Sequence, residues 1–323
     1  VAYNTRPSQL SDDGKGLRYY TLLNQPGCGK LMKLGFENNG DGDAFTLGPD
    51  SGYGCCRSNY HFAWPKFVQS MWFAGGFHCG GGLVAAAYGP CTLTHEMATI
   101  EEGGDYPFGD TVTMKFLKAN GKEWPLHFRI PRWCEHKDFA VKLNGEALKL
   151  KGSPIRRVWK AGDSIEFTFP GKLVIEKGIY DSVALRRGAL VYSLKMDANV
   201  KVLDTKVDRA GFPAREYTPK GSWNYALQLK DEKTIKARYI APTDLSGNVF
   251  AHGRETSALK VNAYRTDYAG WGTHRPSGHF AGRALEPPPS PLAPAKRSQE
   301  AEEITLIPMG ATQIRITLFP WSK

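Results

Sequence analysis

No stretch of about 18 consecutive apolar residues occurs in this chain, so no membrane-spanning helix is expected. No block of five basic residues occurs either. The formal net charge of +10 is spread along strand-like runs where lysine and arginine alternate with acids. Such interleaving marks solvated faces rather than a phosphate track, so nucleic acid and membrane are not expected partners. No Gly-x-Ser-x-Gly elbow, Walker A loop or dinucleotide fingerprint is present, which removes the commonest hydrolase, nucleotide and dehydrogenase readings. No carboxylate pair of the kind most glycosidases use stands out by its context. The six cysteines form no CxxC pair and no regular framework, which argues against a thioredoxin-like redox motif and against a stapled scaffold. A starting Met and a basic leader are also missing from Val1-Ala2-Tyr3-Asn4. This start is expected to be internal to a longer protein, and a leader's absence therefore says nothing about location.

Against these absences Cys55 and Cys56 stand out, side by side in Gly54-Cys55-Cys56-Arg57-Ser58-Asn59 before a helix-like segment. Adjacent cysteines rarely bridge each other, because disulfide geometry is hard to meet across one peptide bond. Thiols at the mouth of a helix are placed to become thiolates, which points to a metal site, a nucleophile or both. The plainer alternative is a pair of small buried hydrophobes, and spacing alone leaves the two readings level. Cys28, in the turn Gln25-Pro26-Gly27-Cys28-Gly29, reads either as a third ligand or, preferably, as a buried thiol. His61 and His78 flank the helix as weak candidates for a metal or a sugar. Trp64, Trp72, Trp133 and Trp271 read mainly as core. Ser58 and Asn59 read as helix caps.

The length of 323 residues suggests two domains. Trp64, Phe67, Val68, Met71 and Trp72 recur with helical spacing, so a helix is expected between Asn59 and Ala74, opening near Pro65 and ending at Gly75-Gly76. Its broad apolar face needs helical partners that the nearby sequence does not supply. Beyond Gly80-Gly81-Gly82 the pattern turns to β. Strands are expected at 83–89, 92–100, 111–117, 124–130, 138–143, 155–159, 164–168 and 182–194, with turns at Asn144-Gly145, Ala161-Gly162-Asp163 and Arg187-Gly188. A second set is expected at 223–229, 234–240, 258–263, 303–308 and 311–318. Short strands at this spacing predict β-sandwich or jelly-roll domains. Glu286-Pro287-Pro288-Pro289-Ser290-Pro291 reads as an extended strap between strands.

The run Gly54-Cys55-Cys56-Arg57-Ser58-Asn59, followed by Trp64-Pro65-Lys66-Phe67 and Leu83-Val84-Ala85-Ala86-Ala87-Tyr88-Gly89-Pro90, resembles the β-L-arabinofuranosidase-like glycoside hydrolases of family 127. The likeness continues through Leu126 to Cys134, Val141 to Gly145, Ala184 to Tyr192, Trp223 to Leu227 and Ile304 to Thr312. The resemblance implies a mainly β chain: a short remnant of an (α/α)6 catalytic barrel over 1–80, then β-sandwich, jelly-roll-like domains over 81–195 and 196–323. It further implies a retaining, zinc-dependent hydrolase in which a metal-bound cysteine attacks the anomeric carbon. Cys55 would be nucleophile and zinc ligand, Cys56 a second ligand, and Tyr19 a substrate-pocket residue. The family's Glu-x-Cys ligand pair and its general-acid glutamate belong upstream of this sequence. The zinc site would therefore be partial and the chain inactive alone. Arg57 departs from the small residue or proline common at its position. The expected partners are a glycan or arabinofuranoside and either the missing barrel half or a second copy. A periplasmic or secreted setting is favoured by analogy with other glycan hydrolases. The alternative is a non-catalytic carbohydrate-binding or docking module.

Overall fold

The computed structural model describes residues 2–18, 21–28, 46–48, 59–76, 78, 80–150, 152–203, 211–267, 271 and 285–323. The chain is mainly β, and by contact it divides into two compact units. One comprises His61–Lys172, the other Val1–Tyr60 with Leu173–Lys323.

In the unit of residues 61–172, Ile155–Val158, Glu123–Phe128, Leu83–Ala85 and Trp72–Ala74 form a four-stranded sheet in that order. The pairing of Leu83–Ala85 with Glu123–Phe128 is parallel and the other two are antiparallel. A six-stranded antiparallel sheet runs Cys91–Thr94, Ala98–Gly104, Thr111–Ala119, Ser164–Thr168, Ala140–Leu143 and Glu146–Ala147. The alternation read from Thr111 onward has its expected cause: Val112, Met114 and Phe116 are buried on one face. The two sheets meet through aromatic side chains. Phe116 stacks on Trp159 with ring centroids 4.4 Å apart, Trp124 lies 5.5 Å from Trp159, and Phe128 lies 4.8 Å from Phe167. Trp159 is fully enclosed, and its indole N–H donates to the Trp124 carbonyl at 3.0 Å, so burying its one polar atom leaves no donor unpaired.

The turn at Asn144-Gly145 forms as expected. Both residues have positive φ, at 52° and 86°, a pattern that matches the right-handed twist of the flanking strands. The Asn144 side chain donates to Asp163 at 2.9 Å and accepts from the Ser164 amide at 2.7 Å, which ties the turn to the neighbouring strand. The expected strand 92–100 is instead two strands, Cys91–Thr94 and Ala98–Gly104, joined through His95-Glu96-Met97.

The helix is shorter than its periodicity predicts, covering Ala63–Gln69 with no buried residue. Its N-cap is Phe62, which makes no side-chain cap hydrogen bond; Asn59 does not cap it, and Ser58 lies outside the described residues. Met71 and Trp72 are buried for a different reason. Trp72–Ala74 pairs with Leu83–Ala85, and the Trp72 indole donates to Glu102 at 3.0 Å. Sheet pairing with a distant segment overrides the local helical pattern here.

In the other unit a long sheet runs Leu173–Lys177, Val183–Arg187, Leu190–Leu194, Glu302–Pro308, Ala258–Arg265, Tyr225–Asp231 and Thr234–Ile235. Ala237–Ile240 also pairs with Ala258–Arg265, and Trp321–Ser322 adds in parallel to Tyr225–Asp231. Its core holds Leu227, Ala258, Ala263, Leu306 and Ile307. Strands on either side of residue 195 thus share one sheet through the pairing of Leu190–Leu194 with Glu302–Pro308, and the break between units falls after Lys172 rather than at 195. The strap after Glu286 buries Pro287 and Pro288, and the Ser290 amide donates to the Tyr180 carbonyl at 2.9 Å. Two short ladders complete the unit: Asn24–Gln25 with Arg315–Ile316, and Ala198–Leu203 with Ala214–Pro219. Among the described residues 2–28 the only helical turn is the 3-10 turn Pro7–Gln9.

Candidate functional site

Cys55, Cys56 and Tyr19 lie outside the described residues, and the structure speaks for the segments that flank them. Leu17, just before Tyr19, pairs with Gly48, which precedes the cysteine segment, and Leu47 pairs with Arg215. Leu47 is fully buried. Gly48 packs so closely on Ala214 that an added Cβ would sit 2.7 Å from the Ala214 Cβ, so only glycine fits. On the far side of the cysteines, Tyr60 is held by Arg6. Its hydroxyl donates to the Arg6 carbonyl, the Arg6 guanidinium donates to the Tyr60 carbonyl at 2.9 Å, and the guanidinium carbon lies 4.2 Å over the ring. Both ends of the cysteine-bearing segment are therefore anchored to the same unit as the segment before Tyr19.

Cys28 is buried, in no disulfide, and sits on a two-way backbone bridge. Its amide donates to the Tyr217 carbonyl at 2.9 Å, and its carbonyl accepts from the Tyr217 amide at 2.8 Å. Burial pushes its thiol up, while Arg18 and Arg315 pull the other way. Sequence reasoning missed both arginines. Each is fully buried and spends its terminal nitrogens on carbonyls: Arg18 on Gln313 at 2.5 Å and Ser8 at 2.7 Å, Arg315 on Leu22 at 3.1 Å and Thr312 at 2.9 Å. Buried arginine is uncommon enough that composition gives no signal for it. His61 and His78 are exposed, Trp72 and Trp271 are buried, and Trp64 and Trp133 are half-buried.

Glu102 is a further buried ionisable group that sequence reasoning missed. It occupies an inward position of Ala98–Gly104, in register with Ala98 and Ile100. Its two oxygens accept from the Trp72 indole at 3.0 Å and the Gly89 amide at 2.8 Å. Burial pushes its pKa up to about 7, against the pull of these two bonds. Both oxygens are engaged, so Glu102 works as an internal clasp rather than an open acid. Among the described residues no group of three or more His, Cys, Asp or Glu is arranged to hold a metal ion.

Residues 82–171 match the family model described as the beta-L-arabinofuranosidase, GH127 middle domain. No curated protein matches the sequence. Among solved structures, a glycoside hydrolase aligns over 100% of this chain and 47% of its own length, with 19% identity and a TM-score of 0.61. A GH127 beta-L-arabinofuranosidase from Geobacillus stearothermophilus T6 aligns over 98% and 44%, with 20% identity and a TM-score of 0.56. A further GH127 beta-arabinofuranosidase aligns over 98% and 43%, with 17% identity and a TM-score of 0.59. At these identities the structural likeness carries the fold. The chain spans less than half the length of the structures it matches. The segment that resembles the GH127 middle domain lies within the unit of residues 61–172.

Proposed function

We propose that this chain is part of a retaining glycoside hydrolase of the β-L-arabinofuranosidase type. The observation that carries this reading is the match of residues 82–171 to the GH127 middle domain, with Gly54-Cys55-Cys56 lying shortly before it in the sequence. In this reading the segment 1–80 contributes to the catalytic barrel, and the β regions that follow are sandwich-type domains built around it. Cys55 is the nucleophile, and Tyr19 lines the sugar pocket. Cys55 and Cys56 contribute two thiolates to zinc. Paired thiolates suit zinc in kind, but two are fewer than the three or four ligands that such sites use. The remaining ligands and the acid that protonates the leaving group are expected in the part of the matched structures that this chain does not span. Export to a periplasmic or extracellular setting belongs to the same reading.

The test is hydrolysis of an aryl β-L-arabinofuranoside by the 323-residue chain with zinc added. No turnover above a Cys55→Ser control is expected. Robust turnover lost in that variant would support the nucleophile and overturn the inactivity of the isolated chain. Turnover that the variant retains would overturn the nucleophile.

A docking reading has one observation of its own. Phe62, Val68 and Phe73 are 49%, 47% and 51% exposed on and beside the short helix, an apolar surface that suits a protein partner.

A further inference from the structure

Residues 244–254 form a loop that is tied down on both sides within one unit. Inside it, the Arg254 guanidinium donates to the carbonyls of Asp244, Ser246 and Asn248 and to the Asp244 carboxylate. On one side, the Asn248 side-chain amide donates to the Asp12 carbonyl at 3.4 Å, and the His252 amide donates to the Asp12 carboxylate at 2.9 Å. On the other, the Gly253 amide donates to the Ala311 carbonyl at 2.9 Å, and the Gln313 amide donates to His252 Nδ1 at 3.0 Å. Gln313 holds the N-terminal segment as well: its side chain donates to the Leu10 carbonyl, and its carbonyl accepts from Arg18. His252 therefore sits where the loop, the segment leading to Tyr19 and the stretch after the 3-10 turn Met309–Ala311 meet.

An amide N–H is met only by a lone pair, so Nδ1 is unprotonated and the neutral ring carries its proton on Nε2. Nε2 is shielded from solvent, and the ring stands edge-on to Tyr217 with centroids 5.7 Å apart. A second proton would go to Nδ1 and set N–H against N–H. Gln313 is 1% exposed, so its amide would be left buried and unmet. We propose that His252 is an acid-sensitive latch: protonating Nδ1 breaks its bond with the Gln313 amide and releases the 244–254 loop, and with it the Asp12 end of the N-terminal segment. The surroundings agree with this. Burial holds the imidazole below its usual pKa and the Arg315 charge adds to that, against the pull of Asp12, the Met196 carbonyl and Asp197. Tyr217 brings no charge, since burial pushes its hydroxyl up to about 12. A released imidazole takes its proton near 6.5 and the seated one only at lower pH, so the latch is full above 6.5 and weakens as pH falls below it.

The test is hydrogen exchange of the 323-residue chain, read by mass spectrometry and corrected for the intrinsic rate. Parent and His252→Asn are compared at about pH 7.5 and about pH 5, on either side of histidine titration. The asparagine Oδ1 can accept from the Gln313 amide in place of Nδ1 and takes up no proton in this range. On acidification the parent should lose protection over 244–254 by about tenfold or more, and the variant should keep it. Glu102 belongs to the other unit and is the same in both proteins. Should the variant fail to fold, NMR of the parent decides: the His252 ring should be the Nε2–H tautomer and titrate with a midpoint below 6.5. No loss of protection in the parent, or an equal or larger loss in the variant, would overturn the proposal, as would a midpoint at or above 6.5.

Discussion

Glu102 shows how one residue sets a property of its whole unit. Its carboxyl is an ordinary acid with a pKa of 4.5 when unfolded and is pushed up to about 7 when folded. Between those values the unfolded chain has lost its proton and the folded chain has kept it. Stability from this site is therefore present below pH 4.5 and lost as pH rises toward 7, on the order of 3 kcal/mol. Glu102→Gln resembles the protonated form and should flatten the Tm–pH profile over that window; equal slopes in both proteins would contradict the assignment. The residue scale is also where the sequence is least informative. Asn144-Gly145 was legible because its turn chemistry is local. Arg18, Arg315 and Glu102 were not, since their partners Gln313, Leu22 and Trp72 come from distant segments or from bonds that no pattern encodes.

At the scale of elements, the strands of the unit of residues 61–172 were legible because their alternation is strict and their core is aromatic. Leu173–Lys177, Ala198–Leu203 and Ala214–Pro219 were not anticipated. The first is an edge strand, and the middle one leaves Val200 and Val202 51% and 60% exposed, so neither carries a one-sided apolar signal. The aromatic layer leads to a direct prediction. Trp159→Ala should cost about 3–5 kcal/mol in urea unfolding of this unit, and a loss below about 1 kcal/mol would mean that the stack on Phe116 does not carry the core. Two glycines separate two kinds of cost. Gly145→Ala meets open space and only the positive-φ penalty, about 1–2 kcal/mol. Gly48→Ala meets the Ala214 Cβ at 2.7 Å and its Cα at 2.9 Å, so the Leu17–Gly48 bridge must shift and the loss should be larger. Equal losses by chemical denaturation would remove the argument that close packing fixes the entry to the cysteine segment.

For the whole molecule, the family likeness was readable from ordered motifs, and the match of residues 82–171 agrees with it. The break between units was not readable, because it depends on the pairing of Leu190–Leu194 with Glu302–Pro308, more than a hundred positions apart. The proposed chemistry rests on the Cys55–Cys56 pair, and metal analysis tests it most directly. The purified chain and its Cys55→Ser and Cys56→Ser variants would be equilibrated with zinc, desalted and assayed for metal. With only two thiolates supplied, the account predicts weak, substoichiometric zinc in the parent chain and less in each variant. Zinc content unchanged by both substitutions would contradict the assignment of these cysteines as ligands.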